Sequence, residues 1–94
     1  MFFTYILQSQ KSGKFYIGHT QDMESRLNRH NQGMVKATRN KGPWVIVYIE
    51  SFETKIEANH RELEVKSKKS RVYIEKLILS KNNFKDQSFY GSLS

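Results

Sequence analysis

The stretch Lys14–Gly33, KFYIGHTQDMESRLNRHNQG, changes its periodicity halfway along. Phe15, Tyr16 and Ile17 favour a strand. Gly18 interrupts the run, and Asp22 then stands where a helix N-cap belongs, with Glu24 in the first turn. Met23, Leu27, His30 and Met34 recur at helical spacing and predict one buried face. Gly33 is placed to end the helix. Arg26 lies about 60° from Met23 around the helix axis, and His30 lies within the apolar face. A helix that only packs needs neither, so the stretch predicts a strand leading into a helix that carries chemistry.

The rest of the chain fits around this unit. Phe2–Leu7 is a short apolar run, separated from Phe15–Gly18 by the polar turn QSQKSGK, and the two predict an antiparallel hairpin. MVKATRNKGP reads as a basic loop ending in the only proline. Trp44–Ile49 is almost wholly apolar, which predicts a central strand covered on both faces. Thr54 and Glu57 form a capping box that opens a second helix, KIEANHRELEVKSKK. Ser70 caps a third, RVYIEKLILS, with Ile74, Leu77 and Ile78 inward. The order ββαβαα predicts an α+β fold, a small three-stranded antiparallel sheet flanked by helices. We expect one domain over residues 1–82 and a polar tail over 83–94.

With 94 residues the chain has room for one modest core, and 13 % aromatic content lets that core be dense. Sixteen Lys and Arg against nine Asp and Glu give a net charge of +7, which points to a polyanionic partner, nucleic acid first. The absence of cysteine excludes disulfides, thiolate zinc sites and a cysteine nucleophile. No apolar run approaches the roughly 20 residues that span a bilayer, and MFFTYILQSQ lacks a basic leader region. The expectation is a cytoplasmic protein with no membrane partner.

Tyr5 in the first strand, YIG at Tyr16–Gly18, then Arg26, RLNRHN and Glu62 together resemble the GIY-YIG nuclease superfamily. The resemblance is to small standalone bacterial members related to the N-terminal endonuclease domain of the excinuclease. It covers roughly Phe2 to Leu79. It implies a metal-dependent endonuclease that cleaves DNA phosphodiester bonds, with roles in repair or recombination. By the same resemblance, Tyr16 matches the tyrosine that activates water and Tyr5 the first motif tyrosine. Arg26 matches the arginine that stabilises phosphoryl charge, His30 a position held by tyrosine or histidine, and Glu62 the metal-binding carboxylate. Phe3-Thr4 replaces Gly-Ile, His19 stands where the excinuclease domain has lysine, and Ile74 falls near the place of a later asparagine.

One carboxylate suits one Mg²⁺ (or Mn²⁺) ion whose other ligands are water and substrate. Gly18 is expected to open space for a phosphate, with His19 beside it. Lys36, Arg39 and Lys41, and the cluster Lys66, Lys68 and Lys69, read as phosphate contacts, which position a nucleic acid without reading its sequence. Each residue also has a plain reading. Tyr5 and Tyr16 can fill a core, Arg26 can lay its stem over apolar surface, His30 can be a packed histidine, and Glu62 can simply pair with Lys66 four residues on. The rival function is a nucleic-acid-binding module of the same fold that cuts little or nothing. A third reading is self-association through Phe89 and Tyr90. A domain this small has no evident specificity module, so a homodimer or a protein partner is expected to supply one.

Overall fold

In the computed structural model, which describes residues 1–82, the N-terminal apolar run becomes the middle strand of a three-stranded antiparallel sheet. The expected tail, with Phe89 and Tyr90, lies outside the described residues. In chain order the elements are β1 (Phe2–Ser9), β2 (Phe15–Thr20), α1 (Met23–Asn31), a 3-10 turn (Lys36–Thr38), β3 (Trp44–Phe52), α2 (Lys55–Lys68) and α3 (Arg71–Asn82). The sheet order is β2-β1-β3. The hairpin register sets Phe3 opposite Thr20 and Tyr5 opposite Gly18. The α+β class and the ββαβαα order are as the sequence predicts.

The expectation of a central β3 is corrected: β3 lies at an edge and β1 is central. Thr4, Tyr5, Ile6 and Leu7 are all buried, whereas β3 buries only Trp44 and Tyr48. The register between β1 and β3 shifts between Ile6 and Leu7, where Ile6 pairs with Tyr48 and Leu7 with Ile46. Such a bulge breaks strict alternation. Val47 and Tyr48 therefore both pack into the cluster under α2 and α3, while Ile46 packs on the other face. The apolar run of β3 thus reflects side chains that enter both cores from an edge strand, Trp44 and Ile46 on one face and Val47 and Tyr48 on the other.

Two cores lie on opposite faces of the sheet. Ile6, Tyr48, Val65 and Ile74 form one, joined by Phe15, Ile17, Leu77 and Ile78. Tyr5, Leu7 and Trp44 form the other, joined by Tyr16, Met23 and Leu27. Met34, expected on the α1 face, is instead 58 % exposed. The helix has ended before it, because Gly33 takes φ +79°, a backbone turn that glycine accepts at low cost.

The helices are fixed by local bonds. Asp22 accepts from the Ser25 N–H, Thr54 and Glu57 form the reciprocal capping box, and Ser70 accepts from the Tyr73 N–H. Thr4 donates to the Ala58 carbonyl at 2.7 Å, which docks α2 against the middle strand. Ala58 and Glu62 are one helical turn apart on the same face, so this contact also sets where Glu62 sits. Arg61 adds a second tie, to Glu50 of β3 at 2.9 Å.

A central β1 makes a testable difference. Ile6→Ala should cost about 2–5 kcal/mol, the range for emptying a fully buried aliphatic site. Ile46→Ala on the half-buried edge strand should cost clearly less. Urea denaturation of the two variants checks this, and a reversed ranking would contradict the strand order.

Candidate active site

Tyr5 points from the middle strand to the α1 face and is 1 % exposed. Its ring fills the place a side chain at position 18 would need. A Cβ on Gly18 would lie 2.5 Å from the Tyr5 Oη and 2.7 Å from Cζ. The space that the sequence reading reserved for a phosphate is, on this face, occupied by tyrosine. That is the reason glycine stands here: two paired positions on neighbouring strands share room for one large side chain.

Behind Tyr5 runs a buried polar chain. The Tyr5 hydroxyl lies 3.1 Å from His30 Nε2, and His30 Nδ1 lies 2.7 Å from the Thr38 hydroxyl. Thr38 in turn donates to the Val35 carbonyl at 3.4 Å. With that donor committed, the Thr38 oxygen accepts Nδ1–H, and bare Nε2 accepts from Tyr5. Trp44 Nε1 donates to the Thr38 carbonyl at 3.2 Å and steadies the far end. The Tyr16 ring lies tilted at 60° against the same histidine, with ring centroids 4.8 Å apart.

Electrostatics agree with this proton arrangement. Burial, reinforced by the charges of Arg26 and Arg29, pushes His30 down to about 4, so it is neutral at physiological pH. Burial, then the neighbouring Tyr16, pushes Tyr5 well above the usual tyrosine range, so it remains a hydroxyl. Glu62 pushes the same way. Arg26 pulls Tyr5 partly back through its charge and a side-chain hydrogen bond. Tyr5 thus feels Arg26 and Glu62 together, although these come from α1 and α2 on opposite faces of the sheet.

They meet around the edge strand β2. On the α2 face, Glu62 is 12 % exposed; its Oε1 lies 2.5 Å from His19 Nδ1 and its Oε2 2.5 Å from Lys66 Nζ. Around the end of β2, His19, Arg26, Arg29 and Lys55 line an open groove of about 610 Å³. The structure therefore gathers Tyr5, Tyr16, Arg26 and His30 on one side of β2 and His19 and Glu62 on the other. Arg29 and Lys55 went unselected in the sequence. Arg29 is three residues from Arg26, a spacing that brings helix neighbours together. Lys55 had no local signal, because only the fold carries the start of α2 to this groove.

Other expected contacts lie elsewhere. Lys36, Arg39 and Lys41 follow the C-terminal end of α1 and do not line this groove. Arg39 Nε donates to the Gly33 carbonyl at 2.9 Å and Lys41 Nζ to that of Ala37 at 3.4 Å, so both brace their own loop. Lys68 sits over the Tyr73 ring, 5.6 Å from its centroid.

Among the described residues no three His, Cys, Asp or Glu side chains cluster as a ready-made metal cage. The donor set fits a hard cation of the Mg²⁺ type, which binds through one or two carboxylates and keeps water and phosphate ligands. Glu62 would hold it. Of the two groups paired with Glu62, Lys66 is the more exposed, at 47 % against 23 % for His19.

Comparison with known proteins bears on the family and the fold. The family model described as the GIY-YIG catalytic domain matches residues 1–83. A UPF0213 protein of Clostridium perfringens is 43 % identical over 67 residues, covering 70 % of this chain and 71 % of the relative. One of Staphylococcus saprophyticus is 43 % identical over 58 residues, covering 61 % of this chain and 71 % of the relative. The solution NMR structure of a UPF0213 protein from Bacillus halodurans is 36 % identical, covers 88 % of both chains and superposes with a TM-score of 0.56. Among the described residues no helix is long and apolar enough to cross a membrane.

The neutral, buried His30 ties stability to pH. Its folded pKa lies below the unfolded value near 6.5, so between about 4 and 6.5 the unfolded chain binds more protons. Stability is full above 6.5 and is lost as pH falls towards 4, by on the order of 3 kcal/mol at 1.36 kcal/mol per pKa unit. Urea denaturation from pH 7 to 4.5 should show this slope, and His30→Gln should flatten it. An equal slope in both proteins would contradict the buried neutral histidine.

Proposed function

We propose, from the premise that the chain belongs to the GIY-YIG family, that it is a divalent-metal-dependent endonuclease hydrolysing DNA phosphodiester bonds. The nuclease character comes with the family; the metal, the DNA substrate and the residue roles are our reading. One observation carries it. Arg26 from one face of the sheet and His19 from the other line a single groove at the end of β2, and His19 holds Glu62 at 2.5 Å.

The roles follow from placement. Arg26 presents a guanidinium to a phosphate in the groove and stabilises the charge that grows on its oxygens. Tyr16, partly exposed and held against His30 and Trp44, is the hydroxyl available to orient the attacking water. Tyr5 is too buried to meet substrate broadly and acts by holding Arg26. His30 has both ring nitrogens engaged inside the protein, so it acts through Tyr5 and not as a base on water. Glu62 would hold the metal, which when bound supplies Lewis-acid stabilisation of the phosphate and of the leaving oxygen. His19 aims the carboxylate through Oε1.

The double pairing of Glu62 is also what a binding-only module would show, with the carboxylate used as an ordinary ion-pair partner. The two readings separate on one variant. Labelled linear, flapped and branched DNAs should be incubated with the purified protein in Mg²⁺, Mn²⁺ or EDTA. We expect metal-dependent nicking that Glu62→Gln abolishes while DNA binding holds or tightens slightly. Arg26→Ala should lower the rate by about 10²–10³-fold, the scale for losing one charge-stabilising donor, with little change in melting temperature. Ordinary nicking by Glu62→Gln would overturn the metal assignment.

A further inference from the structure

We propose that a second groove, at the junction of α2 and α3, is a subsite for an unpaired nucleotide of the strand that enters the cleavage site. This rests on the nuclease reading and specifies its substrate as DNA with a single-stranded segment. The groove, about 370 Å³, lies at the opposite end of β2 from the Arg26 groove. Phe15, Ile17 and Val65 form its floor, and Lys14, Lys66 and Lys69 its rim. A strand the length of β2 spans roughly 20 Å, so one short oligonucleotide reaches both grooves. Lys66 of this groove pairs with Glu62, which in turn pairs with His19 of the other groove.

Charge and shape select the occupant. Lys14 and Lys69 are exposed and have no ion-pair partner among the described residues, so they are available to phosphate. The left-handed turn at Lys69, φ +47°, ends α2 and sets that lysine on the rim. An apolar floor cannot serve a duplex, whose base faces are already stacked. It can receive the face of an unpaired base. Arg71 adds a prearranged planar group: it donates to the Gly13 carbonyl at 3.1 Å, pairs with Glu75 at 2.9 Å and lies 4.6 Å from the Phe15 ring centroid. Its side chain is still 54 % exposed, and guanidinium planes stack on bases.

The test measures binding in EDTA, apart from any cleavage, by fluorescence anisotropy with a labelled 12-mer of thymidine. Its companions are an abasic 12-mer with the same phosphates and a 12-base-pair duplex. Lys14→Gln/Lys69→Gln should weaken the thymidine 12-mer about 10-fold at low salt. Its log K against log salt slope should fall by about 1.4, the single-strand value for two lost phosphate contacts. The abasic 12-mer should bind the native protein several-fold more weakly than thymidine, since stacking on protein is worth about 1–3 kcal/mol per base. An unchanged slope in the double variant would overturn the subsite. So would equal affinity for abasic and thymidine strands, or an equal loss on the duplex. If the native protein nicks DNA while the double variant binds as native, the subsite falls and the nuclease reading stands. If the variant loses binding as expected while no preparation nicks, the groove is supported and the catalytic reading falls.

Discussion

The contact between Tyr5 and Gly18 is the constraint around which the site is built. Two strands pair so that the largest side chain of the middle strand lies over the one position on its neighbour without a side chain. Room at Gly18 lets the Tyr5 hydroxyl lie where His30 can accept from it and Arg26 can reach it. Thr38 fixes His30, and Trp44 fixes Thr38. A chain of neutral hydrogen bonds thus runs from the loop before β3 to the charged groove, and it is buried enough that each link must be satisfied.

The edge position of β2 matters as much. A strand in the middle of the sheet would wall α1 off from α2. At the edge, residues from both faces turn around the same strand, and Arg26 of α1, His19 of β2 and Lys55 of α2 line one groove. The Thr4 contact to Ala58 controls this from the α2 side, since it sets the helix that carries Glu62. Glu62 is then held by His19 and Lys66, which offset the cost of placing a carboxylate at 12 % exposure.

What was legible in the sequence was what is encoded locally. Caps at Asp22, Thr54 and Ser70, and the stop at Gly33, each depend on a few consecutive residues. Strand order is not local, and an edge strand whose side chains enter cores on both faces reads like a central one. In the site, residue types in family order pointed to Tyr5, Tyr16, Arg26, His30 and Glu62. The structure packs Tyr5, Tyr16 and His30 together on the α1 face and sets Glu62 with His19 on the α2 face. The reason for Gly18 could not be read, because the space it leaves is filled from another strand. Thr38 escaped notice as one hydroxyl in a basic loop, and the distance from that loop to the groove likewise hid that Arg39 and Lys41 brace the loop itself.

A double-mutant cycle between positions 5 and 18 tests the central claim most directly. Native protein, Gly18→Ala, Tyr5→Leu and the double variant would be unfolded in urea under one set of conditions. If Gly18 exists to seat Tyr5, Gly18→Ala should cost about 1–3 kcal/mol in the native background, as overpacking does. In the Tyr5→Leu background, where the hydroxyl and outer ring are gone, most of that cost should vanish, giving a coupling within the ~0.5–3 kcal/mol range of contacting residues. Additive costs, with Gly18→Ala equally harmful in both backgrounds, would contradict the account.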